Sequence, residues 1–105
     1  DVYKRQAEKH GKHLYDAGVY TAVEVNVDAT LYKDCFDRGI TIPVDGSGYI
    51  SSVYLQSVAT HLALWKLYKS ASKVQDNDID AYGILSMESQ QQYRDALDGL
   101  CFSKV

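Results

Sequence analysis

The chain has 105 residues, of which 46% are apolar and 24% are charged, and it contains a single proline. These values are ordinary for one globular domain, so they exclude a disordered tail and a fibrous protein. The net charge is −3 and the eleven basic residues are scattered, which argues against a protein that coats nucleic acid. No apolar run approaches the roughly 20 residues that cross a membrane, so we expect a soluble, intracellular protein.

We interpret the first six residues, DVYKRQ, as technical rather than natural in origin. Back-translated as GAT-GTG-TAT-AAG-AGA-CAG, they read as the transposon end sequence used in DNA sequencing libraries. We therefore interpret residues 1–6 as a sequencing or cloning scar on an environmental gene fragment, and residues 7–105 as a single helical domain. A natural DVYKRQ stays open as the alternative.

The segment 7–20 begins with good helix formers but contains Gly11 and Gly18, which predicts a short or frayed helix. His10 and His13 are three residues apart, a spacing with which two imidazoles can hold one metal from a helix face. The sequence has no cluster of Cys, Asp or Glu residues that could complete such a site. We therefore interpret the two histidines as solvated and expect no metal.

The segment 21–27 is ambiguous, because its valines alternate with polar residues as in a strand while the next residues follow a helical spacing. We predict a helix from about Val25 to Arg38, with Gly39 at the position of a C-terminal stop. The apolar residues that carry this helical spacing are Ala29, Leu31, Tyr32, Cys35 and Phe36.

The segment 39–50, GITIPVDGSGYI, is rich in turn-forming residues, with three glycines and the one proline. It allows a short β-hairpin with Ile40–Ile42 and Tyr49–Ile50 as its two arms. Its glycines do not indicate a nucleotide site, because the phosphate-loop spacing is missing and no lysine follows to reach a phosphate. We expect a structural loop.

The segment Ser51–Ser70 predicts a long central helix around which the rest of the chain is organised. It holds the one tryptophan and has no Gly or Pro, and its apolar residues recur three or four positions apart. Leu55, Val58, Leu62 and Trp65 form the principal apolar face. Further apolar residues widen that face to Tyr54, Ala59, Ala63, Leu64 and Leu67, so other elements must pack on more than one side. The fold class predicted is therefore mainly α, a small bundle around this helix.

An acidic segment, 71–80, follows and resembles a calcium loop at first sight. The glycine and the glutamate that such a loop needs are missing from their positions, so we interpret the segment as a solvated connection. The segment allows one helical turn at Ile79–Ile84, which we predict Gly83 to break, and we predict that Ser86 caps a last helix and that Gly99 ends it. Its apolar face is Tyr93, Ala96, Leu97 and Leu100.

The chain contains no recognisable catalytic constellation, metal-ligand set or cofactor motif. His61 lies within the predicted central helix, and we expect it at the edge of the core with a hydrogen bond to a neighbour. We therefore predict no enzyme, no catalytic residues and no cofactor. Cys35 and Cys101 are expected to be reduced and buried. Nine tyrosines beside two phenylalanines suit either a binding surface or the rim of a small core.

Three segments carry a resemblance to a known family. In the first, Asp28 and Ala29 are followed by Asp34, Phe36 and then Pro43. This order is similar to a helix of the form D-A-x-x-x-x-D-x-aromatic that leads into a proline-containing loop.

The second segment, Leu55–Tyr68, resembles a long helix in which an alanine-rich apolar run ends in aromatic-x-Leu-Tyr. The third, Tyr93–Leu97 with Leu100, matches a closing helix that reads Tyr-x-x-Ala-Leu-x-x-Leu. Over about residues 25–100 the chain therefore resembles the head-tail connector, or adaptor, proteins of Mu-like and other tailed bacteriophages and prophages.

This resemblance implies a structural protein of the virion, present in the host cytoplasm during assembly. It would form a homo-oligomeric ring that joins the portal of the head to the tail, with portal and tail-completion proteins as partners. The alternative is a small intracellular helical domain for protein interaction or regulation, which the helical periodicity and the tyrosine content would satisfy equally well.

Overall fold

The computed structural model describes residues 2–12, 14, 24–72 and 81–103. These residues form four α-helices: α1 (Val2–His10), α2 (Glu24–Asp37), α3 (Val53–Ala71) and α4 (Ala81–Ser103). α3 packs against each of the other three, most extensively against α4. The mainly helical fold around a long central helix is therefore confirmed.

The central helix α3 begins directly after a serine cap, Ser52. The Ser52 hydroxyl accepts a hydrogen bond from the Leu55 backbone amide at 3.3 Å, which satisfies one of the unpaired donors of the first turn. The expected apolar face is buried, except that Trp65 is only partly buried and Tyr54 is exposed. Tyr68, which was not assigned to that face, is the aromatic residue of α3 that is buried. The buried residues of α3 are Leu55, Val58, Ala59, Leu62, Ala63, Leu64, Leu67 and Tyr68.

Helix α2 ends as predicted, with Gly39 as its C-terminal stop. Gly39 has a positive φ of 70°, its amide bonds the Phe36 carbonyl at 3.0 Å, and the Ile40 amide bonds the Cys35 carbonyl at 2.8 Å. This pair of hydrogen bonds is the Schellman motif, in which glycine adopts the left-handed conformation without steric cost. The motif turns Ile40 back into the core, where it is buried.

Helix α1 differs from the prediction, because it begins at Val2 rather than within the segment 7–20. Tyr3 and Ala7 are buried in the core, and the Tyr3 hydroxyl donates a hydrogen bond to the Asp28 carboxylate. Tyr3, within the first six residues, thus takes part in the fold, whatever the origin of that segment, and the interpretation of residues 1–6 as a scar stays a prediction. Gly11 follows the helix end. A Cβ there would lie 2.6 Å from Leu67 Cδ2, so glycine permits the close approach to α3.

Helix α4 corrects three predictions, since it runs through both Gly83 and Gly99 without a break. Ser86 is not a cap but a buried residue inside the helix, and its hydroxyl donates to the Trp65 carbonyl at 3.2 Å. A Cβ at Gly99 would lie 2.9 Å from the Tyr54 hydroxyl, so this glycine serves close packing against α3 and not termination. Of the predicted apolar face, Tyr93 and Leu97 are buried and its other two members partly buried. Most of the acidic connection, 73–80, lies outside the described residues.

The predicted β-hairpin does not form, and the described residues contain no strand. Residues Val44 and Ile50 make one isolated antiparallel bridge, which is flanked by a hydrogen bond from the Ser51 amide to the Pro43 carbonyl at 3.0 Å. Ile40 cannot extend this pairing, because its amide is already bonded to the end of α2. The segment is therefore a closed loop between two helices.

Candidate interaction surface

Helix α2 is apolar on two faces, and only one of them is covered. Val27, Leu31 and Cys35 recur every four residues and are buried. Tyr32 and Phe36 also stand four apart, yet their side chains are 50% and 81% exposed. An exposed phenylalanine beside a half-exposed tyrosine is unusual for a surface that faces only water.

Two shallow clefts flank Tyr32 and connect these residues with the loop 40–50. One, of about 510 Å³, lies towards the C-terminal end of α2 and is lined by Phe36 and by Ile40 and Ile42 of the loop. The other, of about 210 Å³, is shared with Tyr49, which is 50% exposed. Tyr32, Phe36, Tyr49 and the two clefts between them form what we name the α2–loop surface.

The loop that completes this surface is held by the Asp45 side chain. Asp45 Oδ1 accepts hydrogen bonds from the backbone amides of Ser47 at 2.8 Å and Tyr49 at 3.0 Å. The Asp45 amide donates in turn to the Tyr49 carbonyl at 2.8 Å, and Gly48 takes a φ of 81°. These are the bonds of an Asx turn, which fixes a short loop through one carboxylate. The position of Tyr49 is therefore set by local hydrogen bonds.

We expect Asp45→Ala to lower the free energy of unfolding by about 1 kcal/mol, because two amides lose their acceptor and turn to water. Hydrogen exchange should speed up at Ser47 and Tyr49, the two amides that Asp45 Oδ1 accepts. Asp45→Asn is the matched control, since its side-chain oxygen keeps both bonds. Equal exchange rates in the alanine and wild-type proteins would show that the side chain does not hold the loop.

A polar cluster joins α2 to α4 beside a separate cleft of about 380 Å³ that Trp65 also lines. The Tyr93 hydroxyl donates to Asp34 Oδ2 at 2.6 Å, and Arg38 forms an ion pair with Asp98. Burial raises the pKa of Tyr93, and the hydrogen bond and charge of Asp34 raise it further, so the tyrosine remains a neutral donor. Because these groups bind one another, we interpret the cluster as a structural connection between α2 and α4 and not as a reactive site.

A second group of exposed apolar side chains lies at the start of α4. Ile84, Leu85 and Met87 are between about one third and three fifths exposed. Met87 borders a shallow cleft of about 400 Å³ between α3 and α4, which Trp65 and Lys69 also line. We name these three side chains and their cleft the α3–α4 surface. The described residues thus present these two apolar surfaces on different helices.

The residues weighed in the sequence as candidate ligands or catalysts are not brought together into a catalytic constellation. His10 is exposed and His61 is partly buried, while His13 lies outside the described residues. The hydrogen bond expected for His61 is not found at Nδ1, which is buried without a partner among the described residues. In the same part of the chain, no group of three or more His, Cys, Asp or Glu side chains is arranged to hold a metal. Cys35 is a buried thiol, as expected, and the Cys101 side chain is outside the description.

The tyrosines divide between the two roles that composition left open. Tyr3, Tyr68 and Tyr93 are buried, whereas Tyr32 and Tyr49 belong to the α2–loop surface. One signal in the sequence points to that surface, namely aromatic residues at helical spacing next to a loop of turn-forming residues. It did not show which face of α2 would remain uncovered.

None of the helices, within the residues that the structure describes, is both long and apolar enough to cross a bilayer. No protein-family model, no curated protein and no solved structure matches the chain.

Proposed function

We propose that the chain is a structural virion protein of a tailed phage or prophage, a connector that forms a ring between the portal of the head and the tail. It would act by binding its neighbours and would catalyse no reaction. The observation that carries the proposal is the uncovered aromatic face of α2, continued by the loop.

The three segments that resemble connector proteins fall on three consecutive helices of one bundle. Asp28 to Phe36 lie on α2, Leu55–Tyr68 on α3, and Tyr93 to Leu100 on α4. Several matched residues of α3 and α4 belong to the same buried core, among them Leu62, Leu67, Tyr93 and Leu97. The resemblance therefore follows a continuous structural unit, which supports a shared architecture better than three unrelated matches would.

The α2–loop surface has the character of a protein interface. Aromatic residues are enriched in the buried centre of interfaces and often dominate their binding energy. Phe36 and Tyr32 supply that kind of contact, and the i,i+4 ion pair of Lys33 with Asp37, at 3.6 Å, supplies a charged rim. A helix face of this composition gains stability when another protein covers it.

A closed ring needs two different surfaces on each copy, because each subunit binds head to tail. The α2–loop surface and the α3–α4 surface offer such a pair. In this proposal one copy presents Phe36 and Tyr32 to a neighbour, and Ile84 and Met87 meet the neighbour on the other side. The acidic net charge of −3 fits a channel through which DNA passes without sticking.

The test is the oligomeric state of the purified chain, alone and with a phage portal ring, measured by native mass spectrometry and negative-stain electron microscopy. We expect closed rings or ring-on-portal complexes for the wild type. Phe36→Asp should reduce assembly at least tenfold, because it buries a charge in an apolar contact. Val53→Asp is the matched control, since Val53 is 79% exposed but lies outside both surfaces.

A wild-type chain that stays monomeric with and without the portal would contradict the proposal. Assembly that is equally strong in the Phe36→Asp protein would reject the α2–loop surface as the ring contact. A small intracellular interaction domain remains the other candidate, and it would use the same surface for a single partner without forming rings. Circular dichroism of each variant ensures that lost assembly is not lost folding.

A further inference from the structure

Two histidines from different helices face one cleft between α1 and α3. His10 lies at the C-terminal end of α1 and His61 in the middle of α3, and both line a cleft of about 350 Å³. The polar side chains beside them are uncharged, namely Gln6, Gln56, Ser57 and Thr60. No carboxylate lines the described cleft, so positive charge on the imidazoles has no counter-ion there.

His61 is poorly placed to carry a charge. Burial lowers its pKa from the ordinary value of 6.5, and the charge of His10 lowers the pKa further. Among the described residues of the helices that pack against α3, His10 is the group whose charge lowers the pKa of His61. Protonation also places a hydrogen on both ring nitrogens, and Nδ1 is buried without a partner in the described part of the chain.

Helices α1 and α3 are in close contact near this pair of histidines. Gly11 lies against Leu67, where a Cβ would come within 2.6 Å, and the Tyr68 hydroxyl donates to the His10 carbonyl at a long 3.5 Å. The remainder of α1 is attached through Tyr3 and Ala7, which are buried. A repulsion between His10 and His61 therefore acts directly on the contact that holds α1 against α3.

We propose that His10 and His61, on the two sides of this cleft, form a pH-sensitive pair, which holds α1 on α3 while His61 is neutral and loosens α1 when the pH falls below neutrality. The folded-state pKa of His61 lies below its unfolded value, so its contribution to stability is present above about pH 6.5 and is lost as the pH falls through the lowered value. Helix α3 packs more extensively against α4 than against α1, so we expect α2, α3 and α4 to stay together when α1 loosens. Acidification would thus uncover the apolar side of α3 beneath α1 before the bundle unfolds.

The experiment combines an NMR titration of the histidine ring protons with hydrogen exchange at about pH 7.5 and about pH 5.5. We expect the pKa of His61 to lie below 6.5 and to rise in His10→Gln, which removes the neighbouring charge. Protection factors of the α1 amides should fall several-fold at the lower pH, while those of α3 and α4 stay nearly constant. In His61→Gln this loss of α1 protection should largely disappear.

The proposal is overturned if the pKa of His61 is at or above 6.5, or if it does not change in His10→Gln. It is also overturned if α1 loses the same protection on acidification in His61→Gln as in the wild type. His10 is exposed, so His10→Gln is expected to fold and keeps the test available should His61→Gln prove unstable. None of these outcomes depends on ring assembly.

Discussion

Leu62→Ala is expected to lower the free energy of unfolding by about 3 to 5 kcal/mol, the largest effect of any single truncation proposed for this chain. Leu62 is 0% exposed and lies at the middle of α3, the helix that contacts all three others. Removing three carbon atoms there loses their burial and leaves a cavity that three packed helices cannot close. For a domain of this size the loss is a large part of the total stability.

Urea unfolding followed by circular dichroism measures this change, with Val53→Ala as the control on the same helix. Val53 is 79% exposed, so its truncation should cost less than about 0.5 kcal/mol. A loss below about 1 kcal/mol for Leu62→Ala would mean that α3 is not the centre of the core. Trp65, which the periodicity placed on the same face, is only partly buried and is a weaker probe of that core.

The sequence predicted the two middle helices well, because their signals are local. Gly39 ends α2 through backbone hydrogen bonds that depend on glycine at that position, and Ser52 caps α3 one residue from the predicted start. Both signals involve contacts within a few residues. Each can therefore be recognised without knowledge of the rest of the fold.

The predictions for the glycines and the serine of α4 were wrong because these residues depend on contacts with α3, which lies far from them in the sequence. A Cβ at Gly99 would lie 2.9 Å from the Tyr54 hydroxyl of α3, and the Ser86 hydroxyl donates a hydrogen bond to the Trp65 carbonyl. In sequence, each of these residues resembles a helix boundary. Packing between α3 and α4 stabilises the continuous helix by more than the roughly 1 kcal/mol that a glycine costs in a helix interior.

The candidate interaction surface was only partly foreseeable for a related reason. The apolar residues of α2 occupy two faces, with Leu31 and Cys35 on one and Tyr32 and Phe36 on the other. Helical periodicity shows that both faces exist, but the face that becomes covered is decided by the contact with α3. The Asx turn that positions Tyr49 was likewise visible only as turn-forming composition.

Tyr93→Phe is expected to lower the free energy of unfolding by about 2 kcal/mol, because it removes a hydrogen bond to a charged acceptor in a mostly buried site. The Tyr93 hydroxyl donates to Asp34 Oδ2 at 2.6 Å and thereby ties α4 to α2. The phenylalanine ring keeps the contact with Trp65, whose centroid lies 6.0 Å away, so packing changes little. The Asp34 carboxylate then loses its donor.

Tyr32→Phe provides the control, since Tyr32 is exposed and its truncation by one oxygen should change stability by less than about 0.5 kcal/mol. The pH dependence gives a second, independent check. The pKa of Tyr93 is raised above its ordinary value of 10.0 in the folded protein, so its stabilising contribution is complete below that pH and declines as the pH rises above it. The difference in unfolding free energy between wild type and Tyr93→Phe should therefore narrow above about pH 10. A constant difference across that range would mean that Tyr93 ionises as readily in the folded chain as in the unfolded one, and that the hydroxyl is not held by Asp34.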